Sequence, residues 1–294
     1  MSVVRTATVL RLEDGRRLAF AEVGDPRGEP VFGFHGTPGS SEQLGMVAEA
    51  AERVGVRCIL PDRPGYGLSD FQPKRRLRDW PGDVVAIADF LQLGRFGVFG
   101  VSGGGPHAAA CAHALGPDRL LGACIVSGVG PTARPEMSEG AMPMNRAMFA
   151  LARRAPSALR PLTAVVMFAM RRLGDRGFDR FVRSLPAPDR RIFEEYPALR
   201  AAFVEETRSS SRTAGHAMAQ DMALFARPWG FPLEEIAAPV QLWQGDQDIN
   251  VPASHARHQA DRIPGAKLHE CPGEAHLLFV PHAEEILRAA AGRG

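Results

Sequence analysis

No stretch of this chain approaches the roughly eighteen consecutive apolar residues of a membrane-spanning helix. Its first residues, Met1 to Arg5, lack the apolar core of a secretion signal. A cytoplasmic protein without a membrane span is therefore expected. Cys-x-x-Cys is absent too. Cys58, Cys111, Cys124 and Cys271 are far apart, three in apolar strand-like runs and one in a helical run, which predicts buried free thiols in place of disulfides or a metal site. An excess of one charge is missing as well: the formal net charge is +2 over 294 residues. No basic stripe interleaved with aromatics occurs, so nucleic acid is not an expected partner. The basic residues are nearly all arginine, a bias of composition and not of chemistry. Repeats and low-complexity tracts are lacking. With 45% hydrophobic and 23% charged residues, the composition is that of an ordinary globular protein. It can bury a sizeable core, as one large α/β domain or as a domain with an insertion.

What is present is an alternation of strand and helix signals. Thr6 to Leu12 and Arg17 to Val23 flank Glu13-Asp14-Gly15-Arg16, an Asp-Gly turn, so two antiparallel strands open the fold. Strands are expected at Val31 to His35, Val56 to Leu60, Phe96 to Val101, Leu120 to Ser127, Pro239 to Gln244 and Ala266 to Cys271. Helices are expected at Ser41 to Val54, Trp80 to Leu93, His107 to Leu115, His255 to Ile263 and from about His282 onward. This order indicates a mostly parallel, doubly wound sheet. It breaks once. From Gly130 to Pro232 the periodicity is helical, punctuated by proline and arginine. Residues 1–129 and 233–294 are expected to form the core domain, and residues 130–232 a helical cap over the sheet's carboxyl edge.

The densest chemical signal is Phe96-Gly-Val-Phe-Gly-Val-Ser102-Gly-Gly-Gly-Pro106, read as strand, sharp turn, helix. Gly100 and Gly104 flank Ser102 at G-x-S-x-G spacing, as a strained corner with neighbouring chain close by requires. Glycine is frequent enough for the spacing to arise by chance; the strand before and the helix after give it weight. A serine hydroxyl is a poor nucleophile at neutral pH and needs a base, which in turn needs an orienting acid. Of the nine histidines, His276 suits best, in a loop after the last strand that can fold back over the strand ends. His35 is expected to support its own loop and His107 to line the pocket. His255, His258, His269 and His282 read as solvated or helix-end residues, and His113 and His216 as helix-face residues. The strand ending at Ser127 continues without an acid, while the one ending at Gln244 offers Asp246 and Asp248. Asp248 is preferred, because it sits in the turn leading to Val251-Pro252, and Asp246 is expected to stabilise that turn. Backbone amides are the simplest donors to an oxyanion. Gly103 offers one. In the loop His35-Gly36-Thr37-Pro38-Gly39, Pro38 cannot donate, which leaves Gly36 and Thr37, with Thr37 preferred.

Over nearly its full length the chain resembles the α/β-hydrolases of the capped bacterial serine esterase type. The resemblance rests on the His35-Gly36 loop, Asp62-Arg-Pro-Gly-Tyr-Gly-Leu-Ser69, the elbow Gly100 to Gly104, Gly245-x-x-Asp248-x-x-Val-Pro252 and the terminal His276. It implies an oxyanion loop, a structural turn around Asp62, a nucleophile, an acid and a base at these positions, with no cofactor. Ser102 stands where dehalogenases and epoxide hydrolases of this family carry aspartate, which argues against both.

The expected function is hydrolysis of carboxylic esters or lactones of small, fairly apolar substrates. An amidase or proline-iminopeptidase-like enzyme, or a carbon–carbon bond hydrolase, would use the same groups with another pocket. A carboxylate among Glu194, Glu195, Glu205 and Glu206 facing Ser102 would favour amine recognition. A non-catalytic ligand-binding member of the fold is the reading from a different class. The cap carries Met137, Met142, Met144, Met148, Phe149, Met167, Phe168, Met170 and Met218, which are expected mostly to pack its helices and partly to line a deformable apolar pocket. Its sixteen arginines against ten acids give it about +6 and leave about −4 elsewhere. Nothing in the sequence decides the oligomeric state, and a homodimer stays open.

Overall fold

The computed structural model describes residues 7–133, 135–209 and 213–294. Thr6, the expected first strand residue, and the Met1 to Arg5 segment lie outside them. Eight strands form one sheet: β1 (Thr8–Arg11), β2 (Arg17–Gly24), β3 (Glu29–Phe34), β4 (Val56–Pro61), β5 (Phe96–Val101), β6 (Leu120–Val126), β7 (Val240–Gly245) and β8 (Lys267–Cys271). Their order is β1-β2-β4-β3-β5-β6-β7-β8. β1 and β2 form the antiparallel hairpin expected from Asp14-Gly15, with Thr8 opposite Phe20. β2 runs antiparallel to β4, and every later pairing is parallel. The chain steps from β3 to one side for β4 and returns to the other side for β5. The strand order therefore reverses at the β3/β5 pair, whose carboxyl ends open the crevice where sites in such sheets form.

Period-two alternation sorts the strand residues onto two faces. Phe32, Phe34, Phe96 and Val98 pack on one side, and Val31, Leu60, Phe99 and Val101 on the other. After β3 come the short α1 (Ser41–Leu44) and α2 (Ala48–Arg53); α3 (Trp80–Phe90) precedes β5 and α4 (Gly105–Arg119) follows it. Five helices of the described residues, α5 (Pro143–Arg154), α6 (Pro156–Arg183), α7 (Ala187–Glu195), α8 (Pro197–Ser209) and α9 (Ala214–Phe225), lie between β6 and β7. α10 (Ser254–Arg262) leads to β8, and α11 (Ala283–Ala290) is the last helix. Residues of α3, α4 and α10 cover the first face of the sheet, and those of α2 and α11 the second. Ala108 to Ala112 of α4 are buried, and their small side chains let the helix approach β5 and β6 closely.

One expected helix is divided. Ser41 to Val54 is not continuous: α1 stops at Gly45, a tight turn covers Gly45–Val47, and α2 follows. Glycine is a poor helix residue, and the break turns Leu44, Val47 and Ala51 into one apolar cluster. The four cysteines are buried and free. Among the described residues no helix is long and apolar enough to cross a membrane.

Candidate active site

Ser102 sits at the corner between β5 and α4 with φ +56°, in the left-handed region that costs a non-glycine residue about 1 kcal/mol. The corner is closed by backbone on both sides. A Cβ on Gly100 would lie 2.2 Å from the Gly104 carbonyl oxygen, and one on Gly104 would lie 2.1 Å from that of Phe34. Only glycine fits either place. The Ser102 carbonyl accepts from the Val129 amide at 3.0 Å, which ties the corner to the loop leaving β6.

The loop after β3 lies directly against this corner. A Cβ on Gly103 would stand 2.2 Å from Thr37 Oγ1 and 3.1 Å from the Thr37 nitrogen, and one on Gly36 would stand 3.5 Å from Ser102 Cβ. Thr37 thus packs so closely on Gly103 beside the serine that no side chain fits between them. Beneath them His35 is fully buried. Its Nδ1–H donates to the Gly36 carbonyl at 2.8 Å, and its Nε2 accepts from the Arg63 amide at 3.0 Å. Burial, and then the Arg63 charge, hold this ring well below the usual histidine range, so it is a neutral brace. Asp62 accepts from the Ser41 amide at 2.8 Å and the Leu68 amide at 3.0 Å. Burial pushes its carboxyl up, against the pull of those amides.

At the other end of the crevice, His276 and Asp248 meet. His276 Nδ1 lies 2.8 Å from Asp248 Oδ2; a carboxylate can only accept, so the ring carries a proton on Nδ1, and in the neutral ring Nε2 is the acceptor. Asp248 is fixed in turn, its Oδ1 accepting from the Asn250 and Val251 amides at 2.8 and 2.9 Å. Gln244 Nε2 reaches Oδ2 at 3.3 Å. Asp246 instead accepts from the Gly273 amide at 2.9 Å, holding the turn before the histidine loop. Burial of the His276 ring disfavours its charge, but Asp248 and then Asp189 outweigh it, and the ring sits above the ordinary histidine value. Among the described residues no hydrogen bond joins Ser102 Oγ to this ring; the two are linked through the β6 exit, where Ser127 Oγ donates to the His276 carbonyl at 3.1 Å.

Several polar groups around the crevice have no sequence signature. Asp221 of α9 is wholly buried and receives Arg63, Arg75, Thr37 Oγ1 and the Tyr66 hydroxyl. Burial would raise its carboxyl, but the two guanidinium groups hold it well below the usual range. Arg63 also donates to the Gly36 carbonyl at 2.7 Å and to Thr37 Oγ1 at 2.8 Å, so this ion cluster supports the Thr37 loop from below. His107 stands beside it, buried, with Nδ1 3.0 Å from the Gly103 carbonyl. Glu206 of α8 is buried against the Ser40 and Gln43 side chains, and burial pushes its carboxyl up to about 8. Glu194, Glu195 and Glu205 are exposed. Asp189 of α7 is buried with Oδ1 on the Leu277 amide at 2.8 Å. His255, expected as a solvated or helix-end residue, stands at the start of α10 and is buried. Its Nδ1 accepts from the Gly130 amide at 2.8 Å, and burial lowers it to about 4. Met144 and Phe168, placed by the sequence reading among packing or pocket residues, are exposed.

Cys271 Sγ, Glu274 and His282 bring possible metal-ligand atoms within 4.8 Å of one another. Glu274 and His282 are already paired at 3.0 Å. Burial, then Glu274 and Glu285, push the thiol to about 11, so the thiolate a metal would bind is scarce.

A family profile described as alpha/beta hydrolase fold matches residues 29–283. An uncharacterized hydrolase, YcgS, of Bacillus subtilis (strain 168) is 24% identical over 277 residues, covering 91% of this chain and 90% of that protein. Among solved structures, an esterase from Exiguobacterium antarcticum superposes with TM-score 0.68 at 19% identity, over 96% of this chain and 97% of that one. An enol-lactonase from Burkholderia xenovorans LB400 does so with TM-score 0.67 at 18% identity, over the same shares. At these identities the structural likeness shows the fold.

Proposed function

We propose that this chain, which belongs to the α/β-hydrolase fold family, is a serine hydrolase cleaving carboxylic esters or lactones of small, fairly apolar substrates. The observation that carries the reading is the Asp248–His276 pair at 2.8 Å, held on the loops after β7 and β8 and tied through the β6 exit to a serine on a left-handed corner. In this scheme His276 Nε2 takes the Ser102 proton as Oγ bonds to the substrate carbonyl carbon. The carbonyl π pair becomes the oxyanion, which the Gly103 and Thr37 amides stabilise. Collapse breaks the bond to the alcohol oxygen, and His276 returns the proton to that leaving group. Water then attacks the acyl-enzyme by the same route and frees Ser102. Asp248 keeps the proton on Nδ1 and stabilises the imidazolium.

Residues 130–232 would act as the cap, with α7, α8 and α9 each reaching a loop of the crevice. Ester and lactone chemistry is favoured over amine recognition by Glu206. Its carboxyl is engaged by Ser40 and Gln43 and raised to about 8, so it is a weak partner for an ammonium group at neutral pH. The names of structural neighbours, two of them an esterase and an enol-lactonase, agree with this choice.

The test is labelling with a fluorophosphonate probe, followed by a panel of esters and lactones. Ser102→Ala should abolish labelling and lower kcat by about 10⁴-fold or more. Activity should rise with pH as His276 loses its proton, around a midpoint above the ordinary histidine value. Full activity in Ser102→Ala would overturn the proposal.

A further inference from the structure

The loop that carries His276 is held from two directions. Asp248 holds the ring from the sheet side. From the inserted helices comes Asp189, in the first turn of α7, only 1% exposed. Its Oδ1 accepts the Leu277 amide at 2.8 Å, and Oδ2 has no hydrogen-bond partner among the described residues. A buried carboxylate oxygen without a donor is costly unless positive charge appears nearby. The charged groups facing the His276 ring are Asp248, from the loop after β7, and Asp189, from α7. Asp189 itself feels His276 and Asp248. Burial pushes its carboxyl up, and charge on His276 and the loop amides pull it back. The one nearby group that can gain positive charge during the proposed reaction is the imidazole.

We propose that Asp189 is a positioning residue through which the inserted helices fix the His276 loop and favour the imidazolium formed when Ser102 is deprotonated. This rests on the serine-hydrolase reading. It separates two functions that one substitution cannot. Asp189→Asn retains an oxygen for the Leu277 amide but removes the charge, whereas Asp189→Ala removes both.

The experiment follows the His276 ring by NMR in histidine-labelled protein, assigned with His276→Gln, beside kcat and KM against pH on the best ester of the panel. In Asp189→Asn the His276 midpoint should fall by about 0.5–1 pH unit. The acidic limb of kcat should move with it, and kcat should drop about threefold. Asp189→Ala should lower kcat about tenfold or more at every pH with KM within about twofold, and Asn should recover part of that loss. A His276 midpoint unmoved in Asp189→Asn would overturn the proposal, as would equal kcat in the Ala variant and the wild type. The near-isosteric Asn variant keeps the test open if Ala does not fold. If the wild type turned over no ester or lactone, the serine-hydrolase reading would fail while the NMR midpoint still reported on Asp189.

Discussion

Every residue of β5 is buried, and every one is apolar or glycine, its backbone groups spent in the ladders to β3 and β6. The inserted helices meet the same crevice differently. α7, α8 and α9 each bury one carboxylate against the segments around it: Asp189 on the Leu277 amide, Glu206 on Ser40 and Gln43, and Asp221 on Arg63, Arg75 and Thr37. The sheet fixes where its strand ends lie by apolar burial, which is non-directional. The insert fixes the loops beyond those ends with directional bonds in a low-dielectric setting, where losing one partner strands the other. The largest effect expected from breaking this contrast is at Asp221. Asp221→Asn leaves two buried guanidinium groups without their counter-charge, and urea unfolding at neutral pH should show a loss of about 3–5 kcal/mol. Because Asp221 is held below the ordinary carboxylate range in the fold, the stability it gives is present above the ordinary aspartate value and disappears as pH falls through the depressed one. The variant should therefore also lose the wild type's acid-side slope. A change under about 1 kcal/mol would mean that α9 is held by its apolar face alone.

The sheet's side of that contrast was legible in the sequence. Strand alternation, the Asp14-Gly15 turn and the glycines around Ser102 are local constraints that a short window contains. That Asp248 and His276 would pair was legible because the chain order leaves few strand ends to search. Asp221 was not legible. It sits among Ala, Met and Gln in α9, where a lone acid reads as a solvent-facing residue, and its partners Arg63 and Arg75 lie 158 and 146 positions away. Asp189 likewise looks like an ordinary first-turn acid after Pro188, favourable to any helix N-terminus. The burial of His255 was hidden for a related reason: a histidine at a helix start gives no local sign that the Gly130 amide will bond to it.

Glu206 sharpens the comparison through pH. Its carboxyl is raised to about 8 in the fold from an ordinary 4.5. The stability it contributes is complete below about pH 4.5 and is lost progressively as pH rises to about 8, because only the unfolded chain ionises freely. The full span is on the order of 5 kcal/mol. Glu206→Gln keeps a neutral group against Ser40 and Gln43 and should remove this slope, so that melting temperature measured from pH 5 to 9 falls less in the variant. Parallel curves would show that the carboxyl is hydrated in solution and that α8 docks without it.

The smallest effects test whether α6 itself is one structure with two faces. Met167 is 4% exposed and packs in the main apolar cluster, while its neighbour Phe168 is 68% exposed. Successive helix positions point about 100° apart, so adjacent residues can belong to opposite environments. Met167→Ala removes buried methylenes and leaves a void, which should cost about 2–3 kcal/mol in unfolding measurements. Phe168→Ala takes an aromatic ring out of water and should change stability by under about 0.5 kcal/mol, the size usual for surface substitutions. The ratio matters more than either number. A large loss at Phe168 would mean that the face carrying Leu162, Val165 and Phe168, all exposed in the single chain, is covered in solution. Repeating the Phe168 measurement at several protein concentrations would then decide whether a second copy covers it, since only a dimer contact makes the loss depend on concentration.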